Sequence, residues 1–358
     1  MDEEGVQRAR AELQSGLLAL NAETHQRVLP AHAQTLHQLH EIRVCFLVED
    51  NEAGVDVELA AVCDVDGSKA RKAAEAYGAG RSYQDYRQVA EDPRIDAVII
   101  CLPNHLHHAA VLTLAEAGKN ILVEKPMSAN LREADKMIRA ARRNRVTLMV
   151  GQSRRFSRAI RVVRERLHEL GAVFRIDISF LVSFPSPQTA WWSDPKKAGP
   201  LVIPLQGSHS LDTIVWLLDK TPSTVYAHTK LKNPQFGSAD EANLVLGFES
   251  GEIASVQLSL NTSPYVHETL ISGDKGTLRV YEYPTEKTYG FRNRVVLNDE
   301  TIFDEDEIPS LYANELSEFL GAIREQREPM ASGKDVRRTM QVLDAACLSS
   351  RTGRAVRL

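Results

Sequence analysis

Cysteine is scarce in this chain. Four occur in 358 residues, Cys45, Cys63, Cys101 and Cys347, and their spacings match neither a CxxC pair nor a zinc pattern. They read as small buried hydrophobes in a reducing compartment, which points to the cytoplasm. Long apolar runs are missing too. No window approaches about 18 consecutive apolar residues, so no spanning helix and no membrane partner are expected. The start, Met1-Asp2-Glu3-Glu4, is acidic where a secretory signal carries positive charge. There is no basic excess: 43 Lys and Arg stand against 48 Asp and Glu, a net charge of −5. That argues against a nucleic-acid partner. No histidine or cysteine has acidic or thiol partners at ligand spacing, so no metal is expected. Glycine is sparse at the front. Gly5, Gly16 and Gly54 are the only glycines before Gly67, and no GxGxxG phosphate loop exists.

What is present is ordinary globular material. Hydrophobic residues make up 43 % and charged residues 25 %, enough for a sizeable core. At roughly 100–200 residues per domain the length implies two domains. From 57 to 150 short apolar runs alternate with helical ones: strands at 57–63, 95–102, 120–123 and 146–150, helices at 69–77, 107–117 and 131–144. Strands this apolar are covered on both faces, which goes with a parallel sheet. After Gly151 the pattern changes. Strand-like runs at 174–182, 225–231, 243–248, 253–260, 267–272 and 277–280 are joined by turn signals, which favours antiparallel pairing. Helices are read at 161–170, 208–218, 312–325 and 336–350. The expected fold is α/β: a Rossmann-type parallel-sheet domain at 1–150, its first 56 residues atypical, then an α+β domain at 151–358 with a mostly antiparallel open sheet.

The segment before 57 resists this scheme. Residues 42–48 look like a strand, yet only eight residues separate them from the next one, and a parallel crossover needs a dozen or more. Either 42–48 pairs antiparallel with 57–63, or the first strand is 16–20, its crossover helix 30–39, and 42–48 an insertion. The second arrangement is favoured.

Several motifs in fixed order carry a resemblance: Ala61-Val-Cys-Asp64, Ser82-Tyr-Gln-Asp-Tyr86, Pro103-Asn-His-Leu-His107, Glu124-Lys-Pro126, Arg154-Arg-Phe156, Gly207-Ser-His-Ser-Leu-Asp212 and Ser272-Gly-Asp-Lys-Gly-Thr277. From position 57 to the end, the sequence resembles the Gfo/Idh/MocA oxidoreductases. The resemblance implies hydride transfer between a nicotinamide cofactor and a secondary alcohol of a sugar, sugar derivative or cyclitol. It implies Lys125 and His209 as catalytic residues. Cofactor contacts fall on Asp64, Pro103, Asn104, His107, Glu124 and Lys125. Substrate contacts fall on Arg155, Trp192, Asp212 and His209. It also implies a homodimer or homotetramer built through the C-terminal sheet.

Physical readings run alongside. Asp64 ends a strand where an adenosine ribose would lie, and a carboxylate there accepts from a 2′-hydroxyl and repels a 2′-phosphate, favouring NAD over NADP. Desolvation beside the nicotinamide would suit Lys125 to proton transfer. His209 and Asp212 stand one helical turn apart on one face. Asp212 either orients His209 or complements the helix dipole. Of Arg154 and Arg155, one is expected to face substrate or cofactor. Trp191, Trp192, Tyr265 and His267 either line a sugar pocket or pack the interior. Two departures stand out. The family's motif has an aspartate four residues before its histidine, where this chain has Leu205. The glycine loop is missing as well. The N-terminal segment therefore holds the cofactor differently, Arg27 being a candidate, or is not the family's own. Otherwise the chain is a non-catalytic relative, a binding or partner subunit with a degenerate nucleotide site.

Overall fold

A computed structural model describes residues 43–51, 54–285, 291–307 and 311–358, with side chains from Glu58 onward. The first sheet has six strands: β1 (Arg43–Asn51), β2 (Gly54–Cys63), β3 (Arg81–Tyr83), β4 (Ala97–Ile100), β5 (Asn120–Glu124) and β6 (Leu148–Gly151), in the order β3-β2-β1-β4-β5-β6. Neighbours β2/β3, β4/β5 and β5/β6 are parallel. Unlike β1, strands β2 to β5 each feed a helix: α1 (Gly67–Tyr77) follows β2, α2 (Tyr86–Glu91) β3, α3 (Asn104–Glu116) β4 and α4 (Leu131–Asn144) β5. Local chemistry sets their ends. Asp66 accepts from the backbone of Ser68 and Lys69 to start α1, and Gly78, at φ 72°, ends it. Such a left-handed residue closes a helix at low steric cost only when it lacks a Cβ. Asp85 and Gln88 form a reciprocal capping box on α2. Strands β4 and β6 are buried at every residue, as expected with helices on both faces.

β1 corrects the favoured reading of the front segment. It is no insertion: it lies at the centre of the sheet, antiparallel to both β2 and β4. The hairpin pairs Asn51 with Gly54 and Arg43 with Cys63. Eight residues cannot carry a helical crossover but suffice for a hairpin, so the alternative geometry is the one adopted. The strand expected at 16–20 and the helix at 30–39 lie outside the described residues.

The second sheet has nine strands: β7 (Val173–Ser183), β8 (Thr224–Lys230), β9 (Glu241–Gly247), β10 (Ile253–Ser259), β11 (Asn261–Gly273), β12 (Gly276–Pro284), β13 (Phe291–Leu297), β14 (Glu300–Asp306) and β15 (Val356–Arg357), ordered β14-β13-β12-β11-β7-β10-β9-β8-β15. β7 and β10 run parallel, and the other pairs are antiparallel. Four longer helices accompany it, besides the single turn Pro195–Ala198: α5 (Arg158–Arg166), α6 (Ser208–Leu218), α7 (Leu311–Arg324) and α8 (Gly333–Thr352). Period-two alternation sorts the faces. Ala242, Leu244 and Leu246 point inward, as do Val256 and Leu258, while Tyr226, Val245, Ile253 and Tyr283 are exposed. In the runs 244–248 and 256–260, Leu244, Leu246, Val256 and Leu258 turn toward the helices, while Val245 stays on the open face. Strands β13, β14 and β15 escape the sequence reading because their charged outward positions hide the alternation.

The C-terminal helix returns to the first sheet. Arg337 pairs with Asp135 at 2.6 Å, and the amide of Val150 donates to Ala331 O at 2.9 Å. These bonds hold the end of β6 against the start of α8.

Candidate active site

The parallel strands of the first sheet end at Cys63, Ile100, Glu124 and Gly151, and ligands of open α/β sheets gather beyond such ends. β5 runs into Glu124-Lys125-Pro126. The Glu124 carboxylate accepts from the Lys125 amide at 3.1 Å. The Lys125 ammonium crosses to the second half of the chain and donates to Leu205 O at 2.9 Å. That carbonyl lies in a π-helical turn, Ile203–Gly207, which runs into α6. A widened turn shifts the regular carbonyl pattern, and such bulges are frequent at functional sites. Burial lowers the Lys125 pKa from its ordinary value, against the pull of the Glu124 charge. Burial raises Glu124, with Lys125 opposing.

His209 occupies the first turn of α6, half-buried, its ring 6.4 Å from that of Phe180. Its carbonyl accepts from Thr213 Oγ1 at 2.9 Å, and Thr213 accepts in turn from Arg154 Nε at 3.0 Å. Arg154 also donates to Glu282 at 2.5 Å and meets His267 Nε2 at 2.9 Å. Phe180 stacks on His267 at 4.0 Å, and Tyr265 Oη lies 3.2 Å from His267 Nδ1. Burial, then the Arg154 charge, hold the His267 pKa well below its usual value, so this imidazole is neutral.

The structure brings Lys125, Glu124 and the Leu205 turn together, with His209 one turn further on. Asp64 stands at the end of β2, 3 % exposed, and accepts from the Asp66 amide at 2.7 Å. Pro103 and Asn104 begin α3 beside the end of β4. Asn104 Oδ1 is buried without a hydrogen-bond partner, as is Gln206 Oε1. Unsatisfied buried acceptors of this kind suit a polar ligand. The parallel-strand edge therefore fits the ribose and nicotinamide portions of a dinucleotide. The pyrophosphate end differs: β1 presents Arg43, not a glycine turn, at this edge, and the residues before it lie outside the described part. Among the described residues no group of His, Cys, Asp or Glu is arranged to hold a metal ion.

Four of the candidate residues are engaged with other parts of the chain. Arg155 is 1 % exposed. It donates in bidentate fashion to Asp212 at 2.7 Å twice, to Met330 O at 2.9 Å and to Asp335. Asp212 is equally buried, and its remaining bond comes from Thr339 Oγ1 at 2.7 Å. It complements a guanidinium, not His209 or substrate. His107, 1 % exposed, lies 3.0 Å from Pro126 O and 2.7 Å from Leu102 O. It fastens the loop after β4 to the loop after β5 and has no open face for cofactor. Trp192 packs inside an aromatic group with Phe184 at 5.6 Å and Phe236 at 6.4 Å. In each case the residue type suits a ligand, and only tertiary packing shows the side chain already committed.

Sequence reasoning missed Glu315, an acid 4 % exposed, with Tyr312 one turn before it. A signal existed: 312, 315, 319 and 322 share one helical face, and Phe319 and Ala322 are buried. A carboxyl on an apolar stripe is unusual enough to mark.

Comparison with known proteins gives a consistent picture. Residues 30–152 match the family model "Oxidoreductase family, NAD-binding Rossmann fold", and residues 160–279 match "GFO/IDH/MocA C-terminal domain". A scyllo-inositol 2-dehydrogenase (NAD(+)) of Bacillus subtilis is 30 % identical, over 84 % of this chain and 89 % of its own. A myo-inositol 2-dehydrogenase of Thermotoga maritima is 27 % identical, over 85 % and 92 %. The solved aldose-aldose oxidoreductase of Caulobacter crescentus superposes with a TM-score of 0.73 at 26 % identity, covering 84 % of this chain and 92 % of that one.

Proposed function

The chain belongs to the Gfo/Idh/MocA oxidoreductase family, and on that premise we propose that it oxidises or reduces a secondary alcohol centre of a sugar, sugar derivative or cyclitol, with Lys125 as the proton-transfer group. The observation that carries this reading is the Lys125 ammonium, desolvated beside Glu124 and held at 2.9 Å from Leu205 O. Lysine stripped of water gives up its proton more readily, and a base placed within hydrogen-bond reach of the substrate hydroxyl is what the chemistry requires. His209, on the facing helix, orients a second hydroxyl or shares the proton. The family's aspartate is replaced by Leu205 here, so its backbone carbonyl, which cannot exchange a proton, positions the lysine instead.

Nicotinamide dinucleotide, when bound, supplies the hydride acceptor. Asp64 would hold the adenosine ribose and favour NAD over NADP. Pro103 and Asn104 would border the dinucleotide, and Glu124 and Lys125 the nicotinamide ribose. In this reading 1–150 forms the dinucleotide-binding domain and 151–358 the substrate and oligomerisation domain. The exposed Tyr226, Val245, Ile253 and Tyr283 lie on the sheet face opposite the helices and support a homodimer or homotetramer formed through it. Among the described residues no helix is long and apolar enough to cross a membrane. Cys63, Cys101 and Cys347 carry no disulfide, in keeping with a reducing cytoplasm.

Replacing Lys125 with Ala tests the assignment. Turnover should fall at least about a hundredfold with unchanged melting. Near-native activity in a folded variant would remove Lys125 from the mechanism. The relatives named above are dehydrogenases, so a non-catalytic subunit is not favoured. Failure to bind NADH or NADPH at millimolar levels, followed by intrinsic fluorescence, would reinstate it.

A further inference from the structure

Two neighbouring arginines grip two neighbouring residues of the helix that carries His209. Both sit in the short helical turn Ser153–Phe156. That turn follows Gly151, which pairs with Glu124 at the end of β5. Arg155 holds Asp212 in bidentate fashion at 2.7 Å. Arg154 Nε donates to Thr213 Oγ1 at 3.0 Å, and that hydroxyl donates to the His209 carbonyl at 2.9 Å. At the other end of the same stretch, Leu205 O receives Lys125 Nζ at 2.9 Å. Residues 205–213 are thus tied at both ends to the strand edge that carries Lys125, and His209 lies between the ties.

Arg154 also reaches the second sheet. Its Nη1 donates to Glu282 at 2.5 Å and to His267 Nε2 at 2.9 Å. A ring nitrogen that accepts carries no proton. The neutral His267 therefore keeps its proton on Nδ1, which faces Glu282 Oε2 at 3.3 Å and Tyr265 Oη at 3.2 Å. The face of this imidazole stacks on Phe180, with ring centroids 4.0 Å apart and planes 7° from parallel. Phe180 and His267 pair across β7 and β11, and Phe180 lies 6.4 Å from the His209 ring, tilted by 56°. One guanidinium thus acts on His209 by two routes, through Thr213 to its backbone and through His267 and Phe180 to its ring. Arg154, Thr213, His267 and Glu282 are all buried. Charged hydrogen bonds are short and directional, and away from solvent they hold geometry more firmly than exposed ones. An imidazole on the first turn of a helix has several rotamers open to it, and proton transfer needs one that reaches the substrate.

We propose that Arg154 is a positioning residue for His209: it locks α6 and the Phe180–His267 stack into one frame, and that frame selects the placement of the His209 imidazole relative to Lys125. The frame stands on the contacts above; its consequence for turnover rests on the reading of His209 as a group of the proton-transfer site.

Thr213→Val keeps the shape of the side chain and cuts the helix route. Arg154→Lys keeps a charge for Glu282 and removes the fork that joins the two routes. Histidine labelled with carbon-13 at Cε1 reads the result by NMR without catalysis, the His209 signal being the one lost in His209→Gln. That signal should move in both variants and stay in place in Thr213→Ser, which keeps the hydroxyl. In alcohol oxidation kcat should fall at least about tenfold in both variants, with KM for cofactor and alcohol within about twofold and near-native kcat in Thr213→Ser. Lower melting with the signal and kcat both unmoved shows packing alone and overturns the proposal. A raised KM for the alcohol at native kcat in Arg154→Lys overturns it as well, because Arg154 Nη2, buried with no hydrogen-bond partner, would then be a substrate contact. A moved signal at native kcat upholds the frame, and it is then the reading of His209 that fails. If Arg154→Lys does not fold, Thr213→Val decides.

Discussion

Lys125 Nζ donates to the carbonyl of Leu205 across 2.9 Å, joining residues 80 positions apart in the chain. One end of this bond belongs to the strand edge that faces a dinucleotide, the other to the helix that carries His209. In the function proposed above, a substrate hydroxyl and a nicotinamide would meet at this lysine. An aspartate at 205 would present a second anion to the ammonium, whereas the carbonyl offers only a dipole. The proton of Lys125 is correspondingly less tightly held.

The pH dependence of oxidation follows from this. As the proposed base, Lys125 would take the hydroxyl proton only in its neutral form, and its pKa is lowered by burial. kcat/KM for alcohol oxidation should therefore rise with pH through a midpoint below the free-lysine value of about 10.4. Glu124→Gln removes the anion that favours the charged lysine, so its midpoint should fall further. A midpoint at or above that of free lysine would contradict the assignment.

NAD(H) should be preferred over NADP(H), with kcat/KM at least about tenfold higher, because Asp64 repels a 2′-phosphate. Lys69 and Arg71, close by in sequence, are the cations that would narrow the ratio. Affinity should be weak for an NAD-binding fold, since β1 brings no glycine turn to the strand ends. Equal turnover with both cofactors argues against the Asp64 role. Cofactor that survives extensive dialysis argues against the weak site.

Arg155→Ala should destabilise the protein by about 3–5 kcal/mol in denaturant unfolding, because Asp212 is then left buried and uncompensated. Arg155→Ala combined with Asp212→Ala should recover part of the loss. If the single variant instead keeps full stability and raises KM, Arg155 is a substrate contact after all.

Light scattering at micromolar concentration should report a dimer or tetramer of the 39.8 kDa chain. Val245→Glu and Tyr226→Glu sit opposite each other on neighbouring strands and would place two charges on the open face. Together they should shift the assembly toward monomer with little loss of melting temperature. A native protein already monomeric under these conditions defeats the interface.

The sequence by itself determined the class of fold and the core of the site. Apolar strand runs, alternating with helical ones, report covered faces, and that information is local. So is the Glu124-Lys125-Pro126 strand end. The impossibility of a crossover in eight residues already restricted β1 to a few geometries. Tertiary structure decided what local pattern cannot encode. It put β1 inside the sheet by pairing it with β4, which lies beyond two intervening strands and two helices in sequence. It showed that Arg155 and Asp212 neutralise each other, because a charged residue reads alike whether its partner is substrate or a side chain 57 positions away. It buried Glu315, on α7, to 4 % exposure. Burial and pairing are properties of the packed molecule: desolvation shifts a pKa only once distant segments have excluded water.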